Sequence, residues 1–321
     1  SKWCPMTHTP HQHVNEFTFR LNDGNVKRQT LERLDSFIAA TRRRGARLPS
    51  EAQDEASEET RKASQKGAEV TRIVCHFSCG AASAVATKLM LAEYPDRVVI
   101  VNAFVKEEHA DNRRFLTDCE KWFGHEITVL RDAKFGASTH EVWRRKQYMR
   151  GLKGAPCSKA LKRDLLDAFR LPGDVSIVGY TAEEVGRFER FFDNGADVQA
   201  RAPLIERGLM KADCLAIVER AGIELPLMYR LGYHNANCIG CVKGGEGYWN
   251  KIRVDFPVEF GQIADIQESI GPGAYLFRNR DTGVRYSLRE LPPDSGRYQD
   301  EPEIACSFFC EAAEADMKEP A

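Results

Sequence analysis

Two short stretches carry side chains whose types and spacing could do chemistry. The first, Ser78-Cys79-Gly80-Ala81-Ala82-Ser83, follows a strand-like run from Thr71 to Phe77 and opens onto a helix-like run through Glu93. Small residues in such a turn let a phosphate reach the backbone. The N–H groups of the first helical turn and the helix dipole then favour the anion. Ser78 and Ser83 add hydroxyl donors. No Gly-Lys-Ser/Thr follows, so the turn is not a Walker A loop. The plainer reading is an ordinary strand-to-helix turn. The second stretch, Asn235-Ala-Asn-Cys238-Ile-Gly-Cys241-Val-Lys-Gly-Gly-Glu-Gly, is a C-x-x-C knuckle among glycines and asparagines. Two thiolates at that spacing can share a metal while backbone N–H groups point at sulfur. Cys157 and the late pair Cys306 and Cys310 could complete an iron–sulfur cluster or a structural zinc site. Spacing alone leaves cluster, zinc and a redox dithiol open.

Further candidates stand where strands end. Glu107, Glu108, His109 and Asp111 follow the second strand, and acidic groups beside a phosphate can hold Mg²⁺ or contact a ribose. A solvated loop with Asp111 or Asn112 as N-cap accounts for most of them, which leaves Glu108 as the site candidate. Gly179, near the end of Val175–Tyr180, permits close approach of a ligand. Arg187 and Arg190 lie three apart on one helical face and can grip an anion. Lys159, Lys162 and Arg163 begin a helix after Ala155-Pro-Cys157. Cations there oppose the helix dipole, so an anionic ligand would account for them. Each alone reads as surface charge; together, at the ends of successive elements, they point to a nucleotide.

The elements that must position these residues are legible as alternation. Arg97–Phe104 and Val175–Tyr180 are buried-strand patterns, and Glu126–Leu130 is a short strand. Asn112–Phe123, Thr139–Met149, Ser158–Phe169 and Lys211–Ala221 read as helices. Strand-helix alternation predicts an α/β fold, a Rossmann-like parallel sheet with helices on both faces, whose ligands bind beyond the carboxyl ends of the strands. After residue 225 the pattern turns irregular and Cys-rich, with a hairpin expected over Gly273–Leu288. The expected organisation is a small N-terminal segment (1–48), a charged linker (49–70), the α/β core (71–225) and a C-terminal region (226–321).

The 321 residues, 42% hydrophobic, can build a sizeable core. A net charge of −1 argues against a protein that coats nucleic acid. The triplet Arg42-Arg-Arg reads first as a solvated face and leaves a local nucleic-acid contact open. No apolar run is long enough to span a bilayer, and Ser1-Lys-Trp-Cys has no signal-peptide core, so a cytoplasmic protein without a membrane partner is expected. Ten cysteines in such a chain are sorted as buried thiols, metal ligands or reactive groups. Cys75, Cys119 and Cys214 lie on core patterns; Cys4 has no evident partner.

Taken together, these residues resemble the phosphoadenosine-phosphosulfate (PAPS) reductase family of the adenine nucleotide alpha-hydrolase superfamily, over about residues 71–310. The family's loop is Ser-Gly-Gly-x-x-Ser; here Cys79 stands for a glycine and Ala81 for a common lysine. The block from Asn237 to Gly245 and the run Gly247-Tyr-Trp-Asn-Lys-Ile-Arg253 resemble small members from phages and other mobile elements. The resemblance implies a Rossmann-like sheet, an adenine nucleotide (ATP or PAPS) at the loop, and sulfur chemistry. Some members use a C-terminal cysteine nucleophile; others pass sulfur through a cysteine-bound [4Fe–4S] cluster. The reductase tail Glu-Cys-Gly-Leu-His is absent, with Cys306-Ser-Phe-Phe-Cys310 in roughly its place. Residues 1–48 are similar to the C-terminal end of insertion-sequence transposases of the ISXO2 type, without their catalytic acidic residues.

The expectation is an enzyme with Ser78, Gly80 and Ser83 on phosphate and Lys162, Arg187 and Arg190 neutralising it. Cys157, Cys238, Cys241 and Cys306 or Cys310 would hold a cluster, with zinc as the alternative. One rival is a true sulfonucleotide reductase in which Cys306 or Cys310 attacks sulfur. Another is an inactive accessory subunit whose basic helices dock a partner or nucleic acid. The electron or sulfur donor is not specified, and a homo-oligomer is allowed.

Overall fold

The structure is a computed structural model that describes residues 71–151, 154–193 and 199–304. The N-terminal segment, the charged linker, Cys4, Cys306 and Cys310 lie outside the described residues. Five strands form one parallel sheet: β1 (Ile73–His76), β2 (Val98–Ala103), β3 (Ile127–Leu130), β4 (Val175–Ile177) and β5 (Ala200–Arg201), in the order β3-β2-β1-β4-β5. Register runs Ile73 to Val98 on one side of β1 and Ile73 to Val175 on the other.

Period-two alternation builds the two covering layers. Ile73, Cys75 and Phe77 face one way with Ile100, Ile127 and Ile177. They pack under α1 (Ala81–Glu93), α2 (Asp111–Phe123) and α8 (Lys211–Arg220) through residues such as Met90, Phe115, Phe123 and Ile217. Phe77 stacks on Phe115 at 6.2 Å and meets Phe123 edge-on at 5.8 Å. Each such buried ring contributes about 1.5–3 kcal/mol by leaving water. Val74, Val101 and Ala103 face the opposite way, against Leu166, Val178, Tyr180 and Ala202. The α/β sheet with helices on both faces is therefore the fold. Cys75, Cys119 and Cys214 are buried core thiols, and burial pushes all three up, Cys214 to about 12.

Between β3 and β4 the chain forms α3 (Thr139–Lys146), then α4 (Pro156–Ser158), a π-helical stretch Lys159–Arg163, and α5 (Asp164–Phe169). Pro156 starts the helix two residues before the expected Ser158; proline at the first position loses no helical hydrogen bond. α3 stops at Lys146 rather than Met149, because Gln147 takes a left-handed φ of 59°. After β4 come α6 (Val185–Asp193), β5, α7 (Pro203–Glu206) and α8. The short α9 (Leu227–Arg230) leads to the Cys-rich region, whose helices are α10 (Glu246–Asp255) and α11 (Pro257–Ile270). The expected hairpin is a two-residue ladder, β6 (Phe277–Arg278) against β7 (Arg285–Tyr286). This region has its own core of Tyr233, Tyr248, Trp249, Ile252 and Ile263. Trp143 and Met149, from the α3 segment, belong to that core as well, so the two parts share side chains across residue 225. Among the described residues no helix is long and apolar enough to cross a membrane.

Candidate functional site

The sheet order reverses at β1: β2 and β3 lie to one side, β4 and β5 to the other. The loops leaving β1 and β4 must diverge there, and a cavity opens at their carboxyl ends. Ser78, Gly80, Ala81, Ala82 and Ser83 line it from the loop, and Glu108, Lys162, Gly179 and Arg187 from the other walls.

Local hydrogen bonds shape the loop. The Ser78 N–H donates to Ser83 Oγ at 3.1 Å, Ser83 Oγ donates to the Gly80 carbonyl at 2.9 Å, and the Ser78 and Ser83 hydroxyls lie 3.2 Å apart. Gly80 is the N-cap of α1, extended at φ −108°, and no capping side chain closes the helix start. Cys79 adopts the left-handed φ of 58° that a glycine would take freely, at a cost of about 1–2 kcal/mol. Its side chain turns away from the cavity into the core, where its sulfur accepts from Arg113 Nη2 at 3.3 Å and Asn102 Nδ2 at 3.5 Å. Burial, and then the Glu108 carboxylate, push this thiol up to about 12. Cys79 thus serves the loop through its backbone and buried thiol rather than by facing a ligand.

Gly179 lines the cavity and is also needed for packing. A Cβ there would lie 2.7 Å from Ser83 N and 2.8 Å from Ser83 Cα. The space it leaves open is filled by the first turn of α1, so the glycine sets how closely β4 docks against the loop. Arg190 is exposed and does not line the cavity. Arg187 does: its Nη1 donates to Glu184 Oε1 at 2.8 Å, and its guanidinium lies 4.8 Å from the centre of the Tyr180 ring. Glu184 is fixed in turn by accepting from the Thr181 N–H at 3.1 Å.

Glu108 and Lys162 form the inner wall. Lys162 Nζ donates to Glu108 Oε1 at 3.2 Å, and Arg113 Nη2 stands 3.5 Å from Glu108 Oε2. The Glu108 side chain is 4% exposed and that of Lys162 12%. Removing one partner of so buried a pair costs about 3–5 kcal/mol, because the other charge is stranded. Lys162 projects from the π-helical stretch, a distortion that often marks functional positions. Of its neighbours, Lys159 pairs with Asp164 at the exposed surface, as an ordinary solvated pair.

Lys162 also lines a second, smaller cavity, together with Cys157, Cys238 and Cys241. The knuckle is held against the α/β core: Glu108 and Cys238 form an antiparallel bridge, and the Ile239 N–H donates to the Glu107 carbonyl at 2.9 Å. Tyr248 clamps it, accepting from the Cys241 N–H at 2.9 Å and donating to the Cys238 carbonyl at 3.1 Å. Gly240 turns the knuckle at φ +72°, and a Cβ on it would strike Ile263 Cδ1 at 2.2 Å. Cys157, Cys238 and Cys241 line the same small cavity, and thiols are the ligand type that soft metals and clusters prefer. Among the described residues, no group of three His, Cys, Asp or Glu is placed so as to hold a metal ion.

Sequence reasoning missed the opposite wall. Tyr229 Oη would lie 3.2 Å from a Cβ on Gly80, so the ring end rests on the loop, and burial raises this hydroxyl well above the tyrosine range. Lys211, Asn235, Asn237, Glu303 and Ile304 close the mouth. Lys211 Nζ donates to Glu303 Oε2 at 2.5 Å and to Asn235 Oδ1 at 3.1 Å, and Asn237 Nδ2 donates to the Ile304 carbonyl at 2.8 Å. One signal was present: Lys211 is the first residue of α8, the same dipole-opposing position that singled out Lys159 and Lys162.

No protein-family model matches the chain, and a search of curated proteins finds no match to it.

Proposed function

We propose that the chain is an enzyme that binds an adenine nucleotide, ATP or PAPS, over the Ser78–Ser83 loop and carries out sulfur chemistry beside a thiol-held metal or iron–sulfur centre. The observation that carries this reading is the double position of Lys162, which lines both the loop cavity and the cysteine pocket. Nucleotide phosphates and thiols would then meet across one side chain, as sulfur transfer to or from a phosphate-activated group requires.

In this reading Ser78, Gly80 and Ser83, with the start of α1, hold phosphate. Arg187, braced by Glu184 and Tyr180, orients the outer phosphates. Lys162 and Glu108 keep the partition between cavity and cysteines fixed. Tyr229, Asn235 and Asn237 exclude water from the loop side. Cys157, Cys238 and Cys241 hold the centre, which when bound would supply electron transfer or sulfide carriage.

The test is anaerobic purification of the full chain, with iron, sulfide and zinc analysis, and calorimetry with ATP and with PAPS. The expected result is nucleotide binding and about one metal centre per chain. A folded protein that binds neither nucleotide overturns the first half of the reading. A metal-free protein overturns the second.

A further inference from the structure

We infer that the surface at the carboxyl ends of β2 and β3 is a docking site for single-stranded nucleic acid, held by its phosphates. It lies outside both cavities and would stand without the nucleotide reading. Between Arg131 and Tyr148 the chain carries five arginines and lysines against two carboxylates, in a protein whose net charge is −1. Both carboxylates are engaged: Asp132 accepts from the Phe135 N–H at 2.5 Å, and Glu141 pairs with Arg144 and Arg145. Glu107, on the neighbouring loop, accepts from Ser138 Oγ at 2.6 Å and from the Thr139 N–H at 2.8 Å. Arg144, Arg145 and Lys146 end α3, where cations complement the helix dipole, and that is account enough for their presence. It does not cover Lys106, Arg131 and Lys134, which stand on loops. All three are exposed, and among the described residues they form no salt bridge.

Packing gathers these cations onto one surface. The Lys106 N–H donates to the Ala137 carbonyl at 2.9 Å, and Lys106 Nζ lies 3.7 Å from where a Cβ on Gly136 would be. The Arg131 guanidinium stands 3.7 Å from the centre of the Phe104 ring. Lys134 Nζ and the Arg145 guanidinium stand 5.5 and 5.7 Å from the centre of Phe135, and Arg145 Nη1 donates to the Lys134 carbonyl at 2.8 Å. An aromatic ring orients a cation without cancelling its charge. Like charges gathered in this way repel, and a chain of phosphates relieves the repulsion at several points at once. A lone phosphate would call for cations converging on one point; these are spread over two loops and a helix end. Tyr148, 40% exposed just beyond α3, offers a ring on which an unpaired base can stack, a contact that a duplex would leave unused. The patch adjoins the loop cavity through Arg113, which stands 5.1 Å from the centre of the same Phe104 ring and 3.5 Å from Glu108 Oε2.

Fluorescence anisotropy of the full chain tests this, with labelled single strands of RNA and of DNA about 12 nucleotides long and the matching DNA duplex, over a salt series. Single strands should bind, with log K falling against log salt at a slope of about −2 to −3, as three or four phosphate contacts give. The preferred sugar then says whether the strand is RNA or DNA. Arg131→Gln combined with Lys134→Gln should weaken binding about tenfold and flatten the slope by about 1.4. Both side chains are exposed, so the melting temperature should hold. Arg278→Gln combined with Arg280→Gln removes the same charge from the exposed hairpin and should change binding by less than about twofold. No binding of single strands at low salt overturns the inference, as does tighter binding of the duplex. A hairpin variant that loses as much as the patch variant, or a patch variant that binds like the parent, overturns it too. Polyglutamate displacing the strand at lower charge concentration than unlabelled strand does would make the partner an acidic protein, and would equally overturn it.

Discussion

Lys162 Nζ lies 3.2 Å from Glu108 Oε1, and this buried pair is the partition between the loop cavity and the cysteine pocket. Its geometry couples two regions far apart in sequence, because the Glu108 backbone bridges Cys238. Changing Lys162→Met keeps the volume but strands the Glu108 carboxylate, apart from Arg113 at 3.5 Å and Asn112 Nδ2 at 3.5 Å. The expected loss is about 3–5 kcal/mol, and pairing the change with Glu108→Gln should recover much of it. Urea unfolding of the single and double variants measures this. Equal losses in the two would show that the pair is not coupled.

Gly179 approaches Ser83 so closely that a methyl group has nowhere to go. With Ser83 N at 2.7 Å and Cα at 2.8 Å from the added carbon, Gly179→Ala must push the first turn of α1 away from β4. Overpacking of this kind costs about 1–3 kcal/mol. Nucleotide affinity should fall with it, since the displaced atoms belong to the loop proposed to hold phosphate. Thermal melts and calorimetry with ATP read both effects. A variant as stable as the parent would mean that β4 and the loop are not packed this tightly.

How far the sequence could be read follows from where the signals are local. β1, β2 and β4 were legible because each is a run of apolar residues ending at a turn, and the loop was legible because its small residues sit between a strand and a helix. β5 was not, since Ala200–Arg201 is two residues long and gains its place only by pairing with β4. The closeness of Cys157 to the knuckle was expected from chemistry, but the clamp by Tyr248 depends on a helix that folds back over Cys238 and Cys241. Charge compensation was the hardest to see. Lys162 and Arg187 were legible as cations at strand and helix ends, and both line the cavity, yet their carboxylate partners come from 54 residues away in one case and one helical turn away in the other. Cys79 shows the same limit: its departure from glycine is visible in the sequence, but the Arg113 and Asn102 donors that accept its thiol into the core come from other elements.

His76 ends β1 with both ring nitrogens buried, and burial followed by the Arg170 charge lowers it from 6.5 to about 4. The folded protein therefore resists a proton that the unfolded chain takes up between those values. The contribution is fully present above about pH 6.5 and is lost as pH falls toward 4, to a limit on the order of 3 kcal/mol. His76→Asn cannot titrate there. Its stability should change less than the parent's over that window in denaturant curves taken at a series of pH values. Parallel curves for the two proteins would assign the acid sensitivity to other groups.

Tyr248 gives the cysteine pocket a test that does not touch a cysteine. Its hydroxyl accepts from the Cys241 N–H and donates to the Cys238 carbonyl, so it fixes the spacing of the two knuckle thiols from behind. The ring itself is packed among Tyr233, Trp249 and Tyr298 and would stay in place without the hydroxyl. Tyr248→Phe leaves one buried donor and one buried acceptor unpaired, at about 1–3 kcal/mol for each group. If the pocket holds a metal, loss of this outer support should weaken zinc binding about 10–100-fold in competition with a chelator. A purely structural tyrosine would lower stability and leave zinc affinity where it was. The two readouts therefore separate a knuckle built to grip a metal from one that only closes a hydrophobic core.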